Sequence, residues 1–225
     1  MSRVFVVIPA YNEESKIGEV VKKLKYHGYT NVVVVDDCSQ DSTWAVANAA
    51  GAMVLRHVIN RGQGAALQTG IKFSLRQGAQ YIITFDADGQ HCVEDIPDML
   101  EPVLSGEAEV SLGSRFLNKK SNVPPIKKLF LKGGILFTYL FSGIKLTDTH
   151  NGFRVFSRRA AQRIRITQDR MEHASEIIDQ IHRKRILFKE VPVRIRYTKY
   201  SRGKGQPVSN SFSIVFRLLM RKIMR

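Results

Sequence analysis

Val32-Val33-Val34-Val35-Asp36-Asp37 sets four β-branched apolar residues in a row before two carboxylates. A strand with one solvated face alternates apolar and polar residues, whereas an unbroken run belongs to a sheet covered on both faces. The same form recurs upstream in Val4-Phe5-Val6-Val7-Ile8 and downstream in Tyr81-Ile82-Ile83-Thr84. Strands are expected at 3–9, 31–36, 52–57, 80–85 and 108–113. Helical patterns fill 14–26, 41–50, 63–77 and 94–104. The first of these carries Ile17, Val20, Val21 and Leu24, the i, i+3, i+4, i+7 stripe of an amphipathic helix. Strand–helix repetition predicts an α/β fold, a mainly parallel sheet flanked by helices. Such sheets bind ligands beyond the carboxyl ends of their strands, which is where this sequence turns polar.

The later chain is less regular. Pro124-Pro125 punctuates it, and the apolar stretch 133–144 is too short to span a bilayer as a helix. A strand is expected at 152–157, a helix near 171–184, a strand near 186–197 and a basic loop at 200–206. One domain is expected over 1–210, with halves divided at 114/115, and a terminal helix over 211–225. Two cysteines, Cys38 and Cys92, in no metal-binding spacing, speak against a disulfide scaffold or a structural zinc site. The N-terminal apolar run is too short for a signal-peptide core.

Charge is distributed unevenly. Residues 1–114 hold 9 Lys+Arg against 14 Asp+Glu, and residues 115–225 hold 26 against 6. A basic second half implies an anionic partner. In the last fifteen residues Phe212, Val215, Phe216, Leu219 and Ile223 share a face, while Arg217, Arg221 and Arg225 follow at i, i+4, i+8. A basic amphipathic helix of that kind reads as an anchor on an anionic membrane surface, or as a helix packed on its own domain or a partner.

Chemistry concentrates at three strand ends. In Phe85-Asp86-Ala87-Asp88-Gly89-Gln90-His91 two carboxylates converge if the chain turns, and such hard oxygens suit Mg²⁺ or Mn²⁺. Alone, Asp-x-Asp with glycine also fits an ordinary turn. Asp36 can accept a hydrogen bond from a uracil N3–H or from ribose hydroxyls. Ser39, Asp41, Ser42 and Thr43 read as helix-capping residues. Asn60-Arg61-Gly62-Gln63-Gly64 opens a helix, so its glycines serve either a turn or a close backbone approach to an anion. It is not the dinucleotide fingerprint, which follows the first strand.

The ordered set Ile8-Pro9-Ala10-Tyr11-Asn12-Glu13-Glu14, Val35-Asp36-Asp37, Asn60-Arg61-Gly62-x-Gly64, Asp86-x-Asp88-x-Gln90-His91 and Gly113-Ser114-Arg115-Phe116 resembles family 2 glycosyltransferases. Within them it is most similar to the dolichol-phosphate mannose synthase-like, polyprenyl-phosphate branch. Asp148-Thr149-His150-Asn151-Gly152-Phe153-Arg154 and Glu190-Val191-Pro192-Val193 extend the resemblance over residues 3–205. It implies a GT-A fold and an inverting, metal-dependent transfer from a UDP- or GDP-linked sugar. Pro9, Tyr11, Glu13 and Asp36 would hold the nucleoside, with Arg61, Gly64 and Asp86 on the donor. Asp86, Asp88 and Gln90 would surround the metal, and Arg115 would face a phosphate, with Arg154 near the donor–acceptor junction.

A lipid phosphate acceptor would need no base, and Arg115, Arg202 and Lys204 would position it. A sugar hydroxyl would need one, with Asp148 first in line, then Glu172 or Glu176, unless those two form an ordinary exposed helix face. His91 and His150 fit either the site or turn and capping roles. The sequence departs from the branch at Cys38, where a glycine is usual, at Cys92-Val93 for Pro-Pro, and in Tyr200-Ser201-Arg202-Gly203-Lys204-Gly205-Gln206, which lacks the usual Ser-Lys. The expected setting is the cytoplasmic face of a membrane, peripherally bound, with room for a small membrane-protein partner or a homo-oligomer. A nucleic-acid-binding role finds no recognition module, and a nucleotidyltransferase would place a glycine-rich basic loop where Pro9–Glu13 stands.

Overall fold

The structure is a computed structural model that describes residues 3–117, 143–149 and 151–196. The basic loop with Arg202 and Lys204, the 211–225 helix, His150 and nearly all of the 133–144 stretch lie outside the described residues. One seven-stranded sheet organises the chain. In sequence order the elements are β1 (Val4–Ala10), α1 (Glu14–Tyr26), β2 (Asn31–Asp36), α2 (Thr43–Ala49), β3 (Met53–Arg56), α3 (Gln63–Arg76) and β4 (Tyr81–Thr84). Then follow α4 (Ile96–Leu104), β5 (Val110–Ser114), β6 (Arg154–Ser157), α5 (Arg158–Arg163), α6 (His173–Arg183) and β7 (Phe188–Pro192).

The strand order is β3-β2-β1-β4-β6-β5-β7. All neighbours are parallel except β6, which runs antiparallel to both β4 and β5. This reversal decides the site. A parallel strand delivers its last residues to the carboxyl edge, whereas β6 delivers its first. Arg154 therefore sits at that edge, in register with Thr84 on β4 and Leu112 on β5.

The all-apolar strands have the cause expected of them. Val6, Ile8, Val32 and Val34 enter one core with Ile17, Val21 and Leu24 of α1 and Ile96 and Met99 of α4. Phe5, Val7, Val33 and Val35 enter a second core with Ala66, Leu67 and Ile71 of α3 and Ile177, Ile178 and Ile181 of α6. The period-2 alternation of a strand feeds two layers of helix, so neither face tolerates a polar residue. Within the described residues the expected strands and helices are present with shifted ends. The 41–50 pattern shortens to Thr43–Ala49, and the 94–104 helix opens with a 3₁₀ turn, Val93–Asp95. The 186–197 strand ends at Pro192, after which Ile195 alone bridges to His91. The six-residue α5 had no periodic signal and was not expected; Ser157 caps it, its side chain accepting from the Ala160 N–H.

The capping residues after β2 act across loops. Asp41 accepts from the Thr43 N–H at 3.0 Å and from the Glu14 N–H at 3.2 Å, so one carboxylate caps α2 and α1 together. Glu14 returns the bond by accepting from the Ser42 N–H at 2.9 Å. Thr43 and Ser39 hydroxyls accept from the Glu13 and Asn12 N–H groups. The β1–α1 and β2–α2 loops are thereby locked side by side.

Cys38 has φ 62°, in the left-handed region. That is the conformation for which glycine carries no Cβ penalty, which explains why glycine is usual there. Cys38→Gly is expected to stabilise the protein by about 1 kcal/mol, read as a rise in the urea midpoint with unchanged slope. An unchanged or lower midpoint would contradict this account of the position.

Candidate active site

At the end of β4 the chain turns through Asp86, Asp88 and Gln90. Asp86 Oδ2 lies 2.8 Å from His91 Nε2, and its Oδ1 accepts from Gln63 Nε2 at 3.4 Å. His91 is itself buried, edge-on to Phe85 and tilted against Phe153, so its ring is fixed and in turn fixes the carboxylate. Burial opposes the charge on Asp86, but His91, by charge and hydrogen bond, and Arg115 outweigh it and hold its carboxyl below the ordinary range. Asp88 moves the opposite way: burial and the neighbouring Asp86 charge push its carboxyl up, despite hydrogen bonds from the Gln90 N–H at 3.0 Å and from the Gln90 side chain. Two carboxylates in one turn, one held ionised and the other raised by its neighbour, are a pair whose repulsion a cation relieves.

Space is kept for it. A Cβ on Gly152 would come within 2.7 Å of Asp86 Oδ1 and 2.9 Å of Oδ2. The Gly152 carbonyl is pinned by the Thr84 hydroxyl at 2.6 Å. Any side chain there would cover the carboxylate. The residues fit a divalent ion held by Asp86 and Asp88, with Gln90 clamping Asp88 rather than standing free.

The second cluster joins β5, β6 and β7. Arg115 donates to Asp148 Oδ2 from Nε at 2.6 Å and from its backbone N–H at 3.1 Å. Both side chains are buried, at 9% and 1% exposure. Glu190 on β7 accepts from the Thr147 N–H at 2.9 Å, its hydroxyl at 2.7 Å and the Asp148 N–H at 3.2 Å. The Asp148 turn is therefore fixed from both sides. Arg154, buried at 3%, donates to the Asn151 and Ala174 carbonyls. Burial lowers its pKa to about 10, countered by the charges of Asp86 and Asp148, so at neutral pH it remains a cation linking the two carboxylate groups.

On the donor side, Tyr11 is exposed, Glu13 half-buried and Pro9 buried at the end of β1. Asp36 is fully buried, with Oδ1 accepting from the Ser39 N–H at 3.1 Å and Oδ2 3.1 Å from Arg56 Nε. Its neighbour Asp37 shapes the next loop. It accepts from the Arg61 and Gly62 N–H groups at 3.0 and 2.6 Å and meets His57 Nδ1 at 2.7 Å. Arg61 extends outward to Asp169 at 3.3 Å, both half exposed, an ion pair that solvent screens and that contributes little.

One expectation is corrected below, and the glycines of 60–64 gain a packing reason of their own. A Cβ on Gly64 would meet the Gln168 carbonyl at 2.0 Å, and one on Gly62 (φ 110°) the Asp169 carbonyl at 2.5 Å. The correction concerns Glu172 and Glu176, which do not form an exposed face, for both are buried. Glu176 is committed to the Thr167 hydroxyl and the Thr167 and Gln168 N–H groups, the last two at 2.9 Å. That bonding holds the 167–170 loop against α3.

The Glycosyl transferase family 2 model matches residues 5–165. The chain belongs to this family. An uncharacterized protein of Methanocaldococcus jannaschii is 44% identical over 224 residues, covering 98% of this chain and 92% of that protein. The UDP-N-acetylglucosamine–dolichyl-phosphate N-acetylglucosaminyltransferase of Methanococcus voltae is 34% identical over 241 residues, 98% of this chain and 96% of its own. Among solved structures, glucosyl-3-phosphoglycerate synthase from Mycobacterium tuberculosis, in complex with Mn²⁺ and UDP-glucose, superposes with a TM-score of 0.73. At 16% identity, over 96% of this chain and 76% of that one, this likeness establishes the GT-A fold. The protein is a family 2 glycosyltransferase whose acidic turn and buried arginines stand at the carboxyl edge of the sheet.

Three site residues escaped the sequence reading. His173, at the start of α6, is buried with Nδ1 2.7 Å from the Arg170 carbonyl. Burial and the Arg154 charge lower its pKa to about 4, so it stays neutral at physiological pH. His57 bridges Asp37 to Thr69, and Glu190 anchors Asp148. Only Glu190 stood in a quoted motif; the histidines are isolated in sequence and gain their places by long-range packing.

Proposed function

We propose that the enzyme transfers a sugar, with inversion, from a nucleotide-diphosphate donor to a polyprenyl phosphate at the cytoplasmic face of a membrane. The observation that carries the acceptor is the buried Arg115–Asp148 pair. A hydroxyl acceptor needs a carboxylate free to take its proton, and the first candidate is ion-paired and closed off. Glu176 is saturated as well. A phosphate arrives already ionised and asks only for positive charge. The relative from M. voltae, named for a dolichyl-phosphate acceptor, supports the same reading.

Asp86 and Asp88 would hold Mg²⁺ or Mn²⁺, which when bound offsets charge gathering on the departing diphosphate. His91 keeps Asp86 ionised and oriented, and Gln90 orients Asp88. Pro9, Tyr11, Glu13 and Asp36 would enclose the nucleoside, and Arg61 would bind the donor only after leaving its outward pair with Asp169. Arg115 and Arg154 set the field at the junction, while Arg202 and Lys204 gather the acceptor phosphate electrostatically. An inverting transfer follows if the acceptor oxygen attacks from the face opposite the diphosphate. The basic second half draws the protein to anionic lipid; among the described residues no helix is long and apolar enough to cross a membrane.

The test offers polyprenyl phosphate and a polyprenyl-diphosphate-linked sugar side by side with labelled nucleotide-sugars. Label is expected in the first acceptor, as an acid-labile glycosyl phosphate. Label in the second alone would establish hydroxyl transfer instead.

A further inference from the structure

β7 ends at Pro192, paired with Ser114 at the end of β5. The next rung would use Arg115, but its N–H is turned to Asp148 instead. The chain beyond Pro192 still needs backbone partners, since a buried N–H left without one is costly. It finds them in both clusters of the site. The Val193 N–H donates to the Ser114 carbonyl at 3.0 Å, one residue before Arg115. The Arg196 N–H donates to the Gln90 carbonyl at 2.9 Å, and Ile195 bridges to His91. Between them the Arg194 N–H goes to a side chain, Asp95 Oδ2, at 2.7 Å. The Arg194 guanidinium folds back onto the same group, Nε and Nη2 reaching Asp95 Oδ1 at 2.8 and 2.5 Å. One carboxylate, 8% exposed, thus clamps both the main chain and the side chain of one residue through charged hydrogen bonds.

We propose that Asp95 is a positioning residue of the transfer. Acting through Arg194, it holds 193–196 as a strap that keeps the metal turn and Arg115 at one spacing. This rests on the reading of Asp86 and Asp88 as metal ligands and extends it to a carboxylate outside that set. Gln90 is the pivot: its carbonyl is held by the Arg196 N–H, while its own N–H and side chain hold Asp88. His91, bridged to Ile195, holds Asp86 at 2.8 Å. Both carboxylates are therefore oriented by residues whose backbone the strap holds, and the strap reaches Arg115 through Ser114. Outer residues that orient metal ligands are worth about 10–100-fold in metal affinity or activity. Asp95 stands one step further out, which places its effect at the low end of that range.

The experiment takes wild type, Asp95→Asn, Arg194→Met and the double variant. Mn²⁺ binding is measured by calorimetry in saturating UDP, or in GDP if wild type prefers it, and nucleotide binding is measured without metal. Mn²⁺ affinity should fall about tenfold in each single variant and no further in the double, because the two side chains act as one clamp. Nucleotide affinity without metal should stay at the wild-type value, since Pro9 and Asp36 lie on β1 and β2. In the metal-free proteins, hydrogen exchange at the Arg196 amide should quicken about tenfold in the same three variants, reporting the loosened bond to Gln90. Should Arg194→Met fail to fold, Arg194→Lys keeps the charge but not the fork and should show the same losses in smaller measure. A clamp that serves stability alone would lower the urea midpoint and leave Mn²⁺ affinity at its wild-type value, which would overturn the proposal. So would losses that add in the double variant. Wild type that binds no Mn²⁺ with nucleotide would remove the metal-ligand reading and this one together. Variants that bind Mn²⁺ as tightly as a metal-binding wild type would remove only this one.

Discussion

Asp88→Asn is expected to lower sugar transfer by about a thousandfold, roughly 4 kcal/mol of transition-state stabilisation, and to leave the fold intact. The amide keeps an oxygen for the Gln90 N–H, so the turn survives, but it removes one of two negative charges. The sign of the stability effect follows from the raised pKa. Burial and Asp86 hold the folded-state value of Asp88 above its ordinary one, so its ionised form destabilises the ligand-free fold at neutral pH. That penalty is relieved as pH falls toward the raised pKa, and Asn relieves it at every pH. In thermal unfolding at neutral pH the ligand-free variant should match or slightly exceed wild type. The rise in Tm produced by Mn²⁺ with a nucleoside diphosphate should vanish. A variant that retains that rise would show that Asp88 is not a metal ligand.

The sheet was legible because its signal is local. Val32–Val35 must be covered on both faces wherever the chain goes, and alternate residues of β1 and β2 do enter two separate cores. The reversal of β6 was not legible, since Arg154–Ser157 reads the same in either direction and only pairing with Thr84 and Leu112 sets its sense. Within the site, Asp86 and Asp88 were visible as a spaced pair at a strand end. Asp37 was hidden behind Asp36, and its role became clear only when the 60–62 backbone arrived from 24 residues away. Gly64 illustrates what local pattern leaves out. Its place in a helix-opening loop fitted either a turn or an anion, and the Gln168 carbonyl, which occupies the space a side chain would need, adds a packing reason for glycine. Long-range packing of that kind leaves no trace in local pattern.

The Arg115–Asp148 pair separates a positioning role from a basic one by its effect on folding. With both side chains buried, Asp148→Asn leaves the Arg115 charge without its counter-ion, and Arg115→Met does the same to Asp148. Each single change is expected to cost about 3–5 kcal/mol of stability, the cost of breaking a buried pair from one side. The Arg115→Met/Asp148→Asn double variant removes both charges, so it should recover roughly half or more of the summed loss, a coupling expected only of groups in contact. Transfer should be lost in all three, since the Arg115 cation and the turn set by Glu190 are disturbed together. A general base behaves otherwise. Asp148→Asn would then unfold at the wild-type urea midpoint, lose turnover with nucleotide affinity unchanged, and abolish the rising acid limb of the rate–pH profile. Urea titration of the four proteins, with rate–pH profiles for wild type and Asp148→Asn, decides the matter. An unshifted midpoint in Asp148→Asn would return Asp148 to the role of base and the acceptor to a sugar hydroxyl.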